Sequence, residues 1–85
     1  MGQLSELPNI GKVVEGQLNA VGITTPEQLA EIGTEAAWLK IQSIDKSACI
    51  NRLLALEGAI RGVKKPDIPI KRRAELREFY DAHKL

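Results

Sequence analysis

The stretch Leu7-Pro8-Asn9-Ile10-Gly11-Lys12, continued by Gly22-Ile23-Thr24-Thr25-Pro26-Glu27-Gln28-Leu29, decides the fold. Between the two segments, Val13, Val14, Leu18 and Val21 recur with Ile10 at the three- and four-residue spacing of one helix face. This spacing predicts a first helix from about Ile10 to Val21. Gly22 ends it, because glycine takes positive φ without steric cost. Thr25 is the expected N-cap of a second, short helix. Pro26 is its first residue, Glu27 complements the positive helix end, and Gln28 completes a capping box. That helix runs to about Ile32, buries Leu29 and Ile32, and stops at Gly33.

The helical period continues along the chain, and strand-type alternation is absent. Thr34 is the expected cap of a third helix through Ala36, Ala37, Trp38, Leu39 and Ile41 to about Ser43. Asp45 is the expected cap of a long, central fourth helix from about Lys46 to Val63. Its broad apolar set is Cys49, Ile50, Leu53, Leu54, Leu56, Ile60 and Val63. Ala55, Gly58, Ala59 and Gly62 add small residues near its end. Glycine inside a helix costs roughly 1 kcal/mol against alanine, so a tight helix crossing is expected there. Residues 64–69, with Pro66 and Pro69, read as a linker. A last helix follows from Pro69 or Ile70 to about His83, with Leu76, Phe79 and Tyr80 as its apolar stripe. The expected architecture is therefore all-α: one compact five-helix domain over residues 1–85, with residues 1–6 as a lead-in.

With 44% hydrophobic and 27% charged residues, the composition is that of an ordinary soluble domain. No apolar run has the length of a membrane span. No signal peptide is expected, since no basic patch followed by an apolar stretch opens the chain. Met1-Gly2 resembles the start of an acylation motif, but Glu6 stands where serine or threonine is needed. A single cysteine excludes an internal disulfide and fits a reducing cytoplasm. The net charge of +1 conceals an asymmetry. Residues 1–60 carry a net −3 and residues 61–85 a net +4.

The chemistry points to the hairpin. The first N–H groups of a helix lack partners inside it, and the dipole adds positive charge, so helix N-termini hold anions. A phosphate must also reach the backbone closely. Pro8 stiffens the entry, and Asn9 is a residue that takes the left-handed conformation cheaply. Ile10 anchors the turn in the core. Gly11 exposes the backbone at the helix start and Lys12 adds a charge. Asn9, Ile10, Gly11 and Lys12 are therefore the candidate nucleic-acid contacts, with Lys71, Arg72 and Arg73 as candidate auxiliary basic contacts. The alternative is a turn that is purely structural, or one that meets another protein, as in SAM-like interaction domains.

Residues 7–33 resemble the helix-hairpin-helix modules of DNA repair and recombination proteins, which grip DNA backbone through hairpin amides. Pro8-Asn9-Ile10-Gly11-Lys12 is also similar to the hairpin in the C-terminal domain of the RNA polymerase alpha chain. Asn9 replaces the usual first glycine. A longer resemblance spans nearly the whole chain. Leu7-Pro8-Asn9-Ile10-Gly11, Val21-Gly22-Ile23-Thr24, Ala48-Cys49-Ile50-Asn51 and Leu54-Ala55-Leu56-Glu57-Gly58-Ala59-Ile60-Arg61-Gly62-Val63 resemble the C-terminal domain of the TfoX/Sxy family. Two-domain members of that family place an α/β domain ahead of this module and regulate bacterial natural competence. The resemblance implies a stand-alone copy of the module, a bacterial source and a role in transcription regulation.

The remaining polar residues have mostly structural readings. Glu57 lies in the middle of the apolar face and can pair with Arg61 four residues on, with a distant arginine, or with a backbone amide. Cys49 reads as a packed thiol at a core-facing helical position. Trp38 reads as core or rim. His83, the only histidine, lies at the frayed end and is a poor candidate for catalysis or metal binding. No enzyme signature, P-loop, dinucleotide loop or nucleophile elbow occurs. The expectation is thus a non-enzymatic regulatory module without cofactor, membrane or small-molecule partner. It contacts DNA backbone, or alternatively another regulatory protein or a second copy of itself.

Overall fold

The computed structural model describes residues 3–85; Met1 and Gly2, on which the acylation reading rests, lie outside the described residues. Five α-helices follow one another: α1 (Lys12–Ala20), α2 (Pro26–Ile32), α3 (Thr34–Ile44), α4 (Ile50–Arg61) and α5 (Ile70–His83). Short 3-10 turns occupy Leu4–Glu6 and Lys65–Asp67. Among the described residues there is no β-strand. The all-α, five-helix expectation is met.

α4 is the central element, as its broad apolar face requires. Leu53, Leu56 and Ala59 pack in the core with Ala37, Trp38 and Ile41 of α3, and with Leu18, Ile23 and Leu29 from the hairpin half. Trp38 is fully buried. Its indole N–H donates to the carbonyl of Cys49 at 3.3 Å. Phe79 and Tyr80 of α5 meet its ring edge-on, with centroids 5.9 and 5.7 Å away. The chain's only Trp, Phe and Tyr thus form one cluster that seats α5.

The second helix starts as its sequence predicts. Thr25 Oγ1 accepts from the backbone N–H of Gln28 at 3.1 Å. The Gln28 side chain reaches one residue further back than a standard box. Its Oε1 accepts from the Thr24 N–H at 2.7 Å and from the Thr24 hydroxyl at 3.0 Å. Thr25→Ala is expected to cost about 1 kcal/mol, the usual value of an N-cap. In a thermal melt that appears as a midpoint lower by about 4–8 °C, and an unchanged midpoint would show that Gln28 alone holds this helix start.

Four helix boundaries differ from the expected ones, each for a local reason; one is the end of α4, at Arg61 rather than Val63 because Gly62 is left-handed. α1 begins at Lys12 rather than Ile10, because Asn9 at φ 70° and extended Gly11 keep Ile10 in the turn. Thr34 is the first residue of α3, not its cap; Gly33, at φ 91°, joins α2 to α3. α4 begins at Ile50, not Lys46. Asp45 closes α3, and its carboxylate accepts from the Ser47 hydroxyl and from the Ser47 N–H at 2.9 Å. Arg52 Nη1 and Gln17 Nε2 reach the same carboxylate at 2.8 and 2.7 Å. An aspartate bonded two residues ahead forms a turn as readily as it caps a helix, and these tethers select the turn. They also hold the Asp45 carboxyl well below the usual range, the Ser47 hydroxyl contributing most and Arg52 next. Cys49, expected inside the helix, is instead its half-buried, extended N-cap residue.

A buried carboxylate joins three helices. Glu57 of α4 is only 5% exposed. It accepts from the Thr34 hydroxyl at 2.7 Å, from Arg61 Nε one turn on, and from Arg72 Nη2 at 3.1 Å. Both the local and the distant arginine are therefore its partners. Arg72 also reaches Glu35 at 2.9 Å and Glu75 at 3.3 Å. Burial pushes the Glu57 pKa up, but the bonds from Arg72, Thr34 and Arg61 outweigh it and leave the carboxyl below its ordinary value. No helix among the described residues is long and apolar enough to cross a membrane.

Candidate functional site

The hairpin is held from below and open above. Ile10, only 5% exposed, drives into the core, and its N–H donates to the Leu7 carbonyl at 3.3 Å. Asn9 is the one non-glycine residue at positive φ among those described. Its side chain turns inward, and Nδ2 donates to the carbonyl of Val63 at 3.0 Å. That carbonyl belongs to the turn closing α4. There the Val63 N–H bonds the Gly58 carbonyl at 2.9 Å, the Gly62 N–H bonds the Ala59 carbonyl at 3.3 Å, and Gly62 is left-handed. This is a Schellman cap.

Gly58 is explained by the same contact. A Cβ placed on it would run into Asn9 Nδ2 and would lie 2.6 Å from the Val63 carbonyl oxygen. The small residues of α4 were expected to mark a helix crossing. At Gly58 they instead receive the hairpin's asparagine amide. The residue that stands in place of the usual first hairpin glycine thus locks the hairpin to the end of α4.

Above this lock the start of α1 has no N-cap bond; its first turn carries Lys12 and also Glu15, whose carboxylate accepts from the Ser5 N–H at 3.1 Å. Gly11 precedes it in extended conformation, and no side chain caps the helix. A Cβ on Gly11 would meet nothing within 4 Å. Lys12 and Val13 are exposed. The unpaired first-turn N–H groups and the dipole make this end of α1 attractive to an anion, with Lys12 beside it.

The cations beside the hairpin are not the ones singled out from the sequence. Lys65 and Arg52 line a shallow pocket of ≈200 Å³ together with Asn9, Val14 and Asn51. The Asn9–Val63 bond places Lys65 there, because it fixes the segment that follows α4 against the turn. Nothing local announces this pairing, which joins residues 54 apart. Of the α5 cations, Arg72 is turned onto Glu57, Glu35 and Glu75. Lys71 and Arg73 are exposed, and Arg73 lines a different groove, between α4 and α5. Asn9, Ile10, Gly11 and Lys12 thus form one contiguous turn, while Lys71, Arg72 and Arg73 point three ways. His83 stacks on Phe79 at 4.1 Å, and no group of three metal-ligating side chains gathers among the described residues.

Comparison with known proteins agrees with this architecture. The family model of the TfoX C-terminal domain matches residues 1–80. Protein Sxy of Escherichia coli (strain K12) is 34% identical over 80 residues, which make up 94% of this chain and 38% of that protein. The chain thus spans well under half the length of that relative. An uncharacterised protein from Listeria monocytogenes, solved in a triclinic crystal form, superposes with a TM-score of 0.92 at 43% identity, over 93% of this chain and 90% of that one. A tetragonal form of a Listeria monocytogenes protein of unknown function gives 0.91 at 43% identity, over 93% and 96% of the two chains.

Proposed function

This chain belongs to the TfoX C-terminal domain family, and from that premise we propose that it is a regulatory binding module that holds the phosphate backbone of duplex DNA on its hairpin. The observation that carries the reading is the uncapped, unobstructed start of α1 at Gly11, with Asn9 folded away beneath it. The amides of the first helical turn take a phosphate oxygen, Lys12 neutralises it, and Lys65 extends the positive surface to one side. Contacts of this kind position a protein on DNA without reading bases, so binding is sequence-tolerant and salt-dependent. The regulatory part of the reading rests on the resemblance to two-domain competence regulators, of which this module is the C-terminal portion.

Binding of a generic duplex at low salt, followed by fluorescence anisotropy, tests the reading. Lys12→Glu is expected to weaken binding about tenfold and to reduce the salt slope by about one. Gly11→Val is the second arm. Its backbone is extended and its surroundings are empty, so valine fits the fold yet covers the amides. It is expected to weaken binding without lowering thermal stability. Absence of binding by the wild type, or equal binding by all three proteins, removes the proposal.

A further inference from the structure

α5 is seated by one face. Leu76 is its buried residue, Phe79 and Tyr80 pack on Trp38, and Arg72 meets the carboxylates. The neighbouring stripe Ile70, Arg73, Ala74 and Arg77 recurs at helical spacing and faces Ile50 and Leu54 of α4 across an open groove of ≈410 Å³. Ile70 is 83% exposed, so the fold supplies it no cover. Arg73 and Arg77, one turn apart on the α5 wall, edge an apolar floor, and no carboxylate lines the groove. Arg77 reaches Asp81 only at 3.5 Å, between two largely exposed side chains, and such a pair holds the arginine weakly.

We propose that this groove takes an amphipathic helix of a partner protein whose apolar stripe is flanked by glutamate or aspartate. The stripe from Ile70 to Arg77 covers about two helical turns, the length over which a docked helix places anchors at successive turns. The two arginines, one turn apart along the α5 rim, match carboxylates at successive turns of a docked helix, which arginine binds in a two-pronged fashion. A nucleic-acid backbone fits poorly, because its phosphates would have to leave water over Ile50, Leu54 and Ile70. A second copy of this chain also fits poorly. Of its other exposed large apolar residues, Val13, Leu39 and Leu85 stand next to Lys12, Lys40 and Lys84, which would face the two arginines, and Ile44 adjoins Asp45, whose carboxylate Arg52 already holds. The inference is independent of the hairpin reading, since no residue of the hairpin lines the groove.

The test is a titration of the methyl-labelled full chain with two synthetic helical peptides that share one apolar stripe, flanked in one by glutamate and in the other by lysine. The glutamate peptide is expected to shift the methyl signals of Ile50, Leu54 and Ile70 and to bind at least about tenfold more tightly than the lysine peptide. The Arg73→Glu, Arg77→Glu double variant is expected to reverse that preference while its helical circular dichroism stays unchanged. Lys12→Glu is expected to leave peptide binding intact, which separates this result from any loss of DNA binding. Equal binding of the two peptides overturns the proposal, as does absence of methyl shifts up to about 1 mM peptide. Concentration-dependent dimerisation abolished by Ile70→Asp overturns it as well and assigns the groove to a second copy.

Discussion

Replacing Glu57 with alanine is expected to lower the unfolding free energy by about 3 kcal/mol, the low end of what breaking a buried ion pair costs. The low end applies because Arg72 keeps Glu35 and Glu75, both partly solvated, after Glu57 is gone. The loss has three sources. Arg72 loses its most buried partner, the buried Thr34 hydroxyl loses its acceptor, and the space of a side chain only 5% exposed is left empty. For a small domain with on the order of 5–10 kcal/mol in total, that is a large share. The measurement is urea unfolding, with the midpoint read at unchanged slope. A shift below about 1 kcal/mol would mean that the network only decorates an already sufficient core.

The same residue makes a pH prediction with a defined sign. Its folded pKa lies below its ordinary value of 4.5. A carboxylate of this kind contributes stability that is complete above the unfolded pKa and disappears as pH falls through the folded one. The wild type is therefore expected to lose stability as pH drops below about 4.5, and Glu57→Gln to lose less over that interval. Asp45 acts in the same direction, so Asp45→Asn is the companion variant that assigns the remaining slope. The Glu57→Leu, Arg72→Met double variant is expected to recover most of the stability at neutral pH. Well-packed apolar replacement of a buried pair is often neutral, whereas removal of one partner is not.

The second large effect is expected at Gly58, and its sign runs against helix propensity. Glycine to alanine inside a helix ordinarily gains about 1 kcal/mol. Here the new Cβ meets the Asn9 amide and sits 2.6 Å from the Val63 carbonyl oxygen. The side chain can swing away only by giving up its 3.0 Å hydrogen bond, and the carbonyl can move only by opening the Schellman turn. Overpacking of this kind costs about 1–3 kcal/mol, and the lost hydrogen bond adds about 1 kcal/mol. Net destabilisation of about 1–3 kcal/mol is therefore expected in thermal or urea unfolding, and a stabilised Gly58→Ala protein would show that the end of α4 yields easily. The Asn9→Gly, Gly58→Ala pair divides the effect. Removing the amide relieves one contact and leaves the carbonyl, so partial recovery is the expected result. Because Asn9 also sets the hairpin's left-handed turn, the proposed DNA binding is expected to weaken in Gly58→Ala, although that residue lies on the far side of the turn.

These two sites bear on how the module works. Asn9 fastens the hairpin to the end of α4, and Glu57 fastens the same helix to α3 and α5. α4 is therefore the rigid member to which both exposed surfaces refer, the open start of α1 and the groove lined by Ile50 and Leu54. On the proposed reading, a turn mounted on a fixed helix keeps its amides aimed without a ligand present, which reduces the ordering cost of binding.

The sequence alone determined the features whose signals span a few residues. The helical period placed five helices, and Thr25-Pro26 started α2 at its observed residue. Asn9 read as left-handed and Ile10 as the anchor of the turn, and both are so. These follow from backbone sterics, capping and the periodic burial of apolar side chains, which are local properties. Tertiary structure alone decided which partner each polar group takes. Asp45, the expected cap of α4, instead closes a turn, held there by Gln17 and Arg52 reaching it from α1 and α4. Glu57 could take Arg61 or a distant arginine, and packing of α5 brought Arg72 so that it takes both. Lys65 lines the pocket beside Asn9, which Lys71, Arg72 and Arg73 do not, because Asn9 bonds a carbonyl 54 residues away. Hydrogen bonds and ion pairs are short-ranged in space but indifferent to distance along the chain, so only the packed arrangement of helices selects among them.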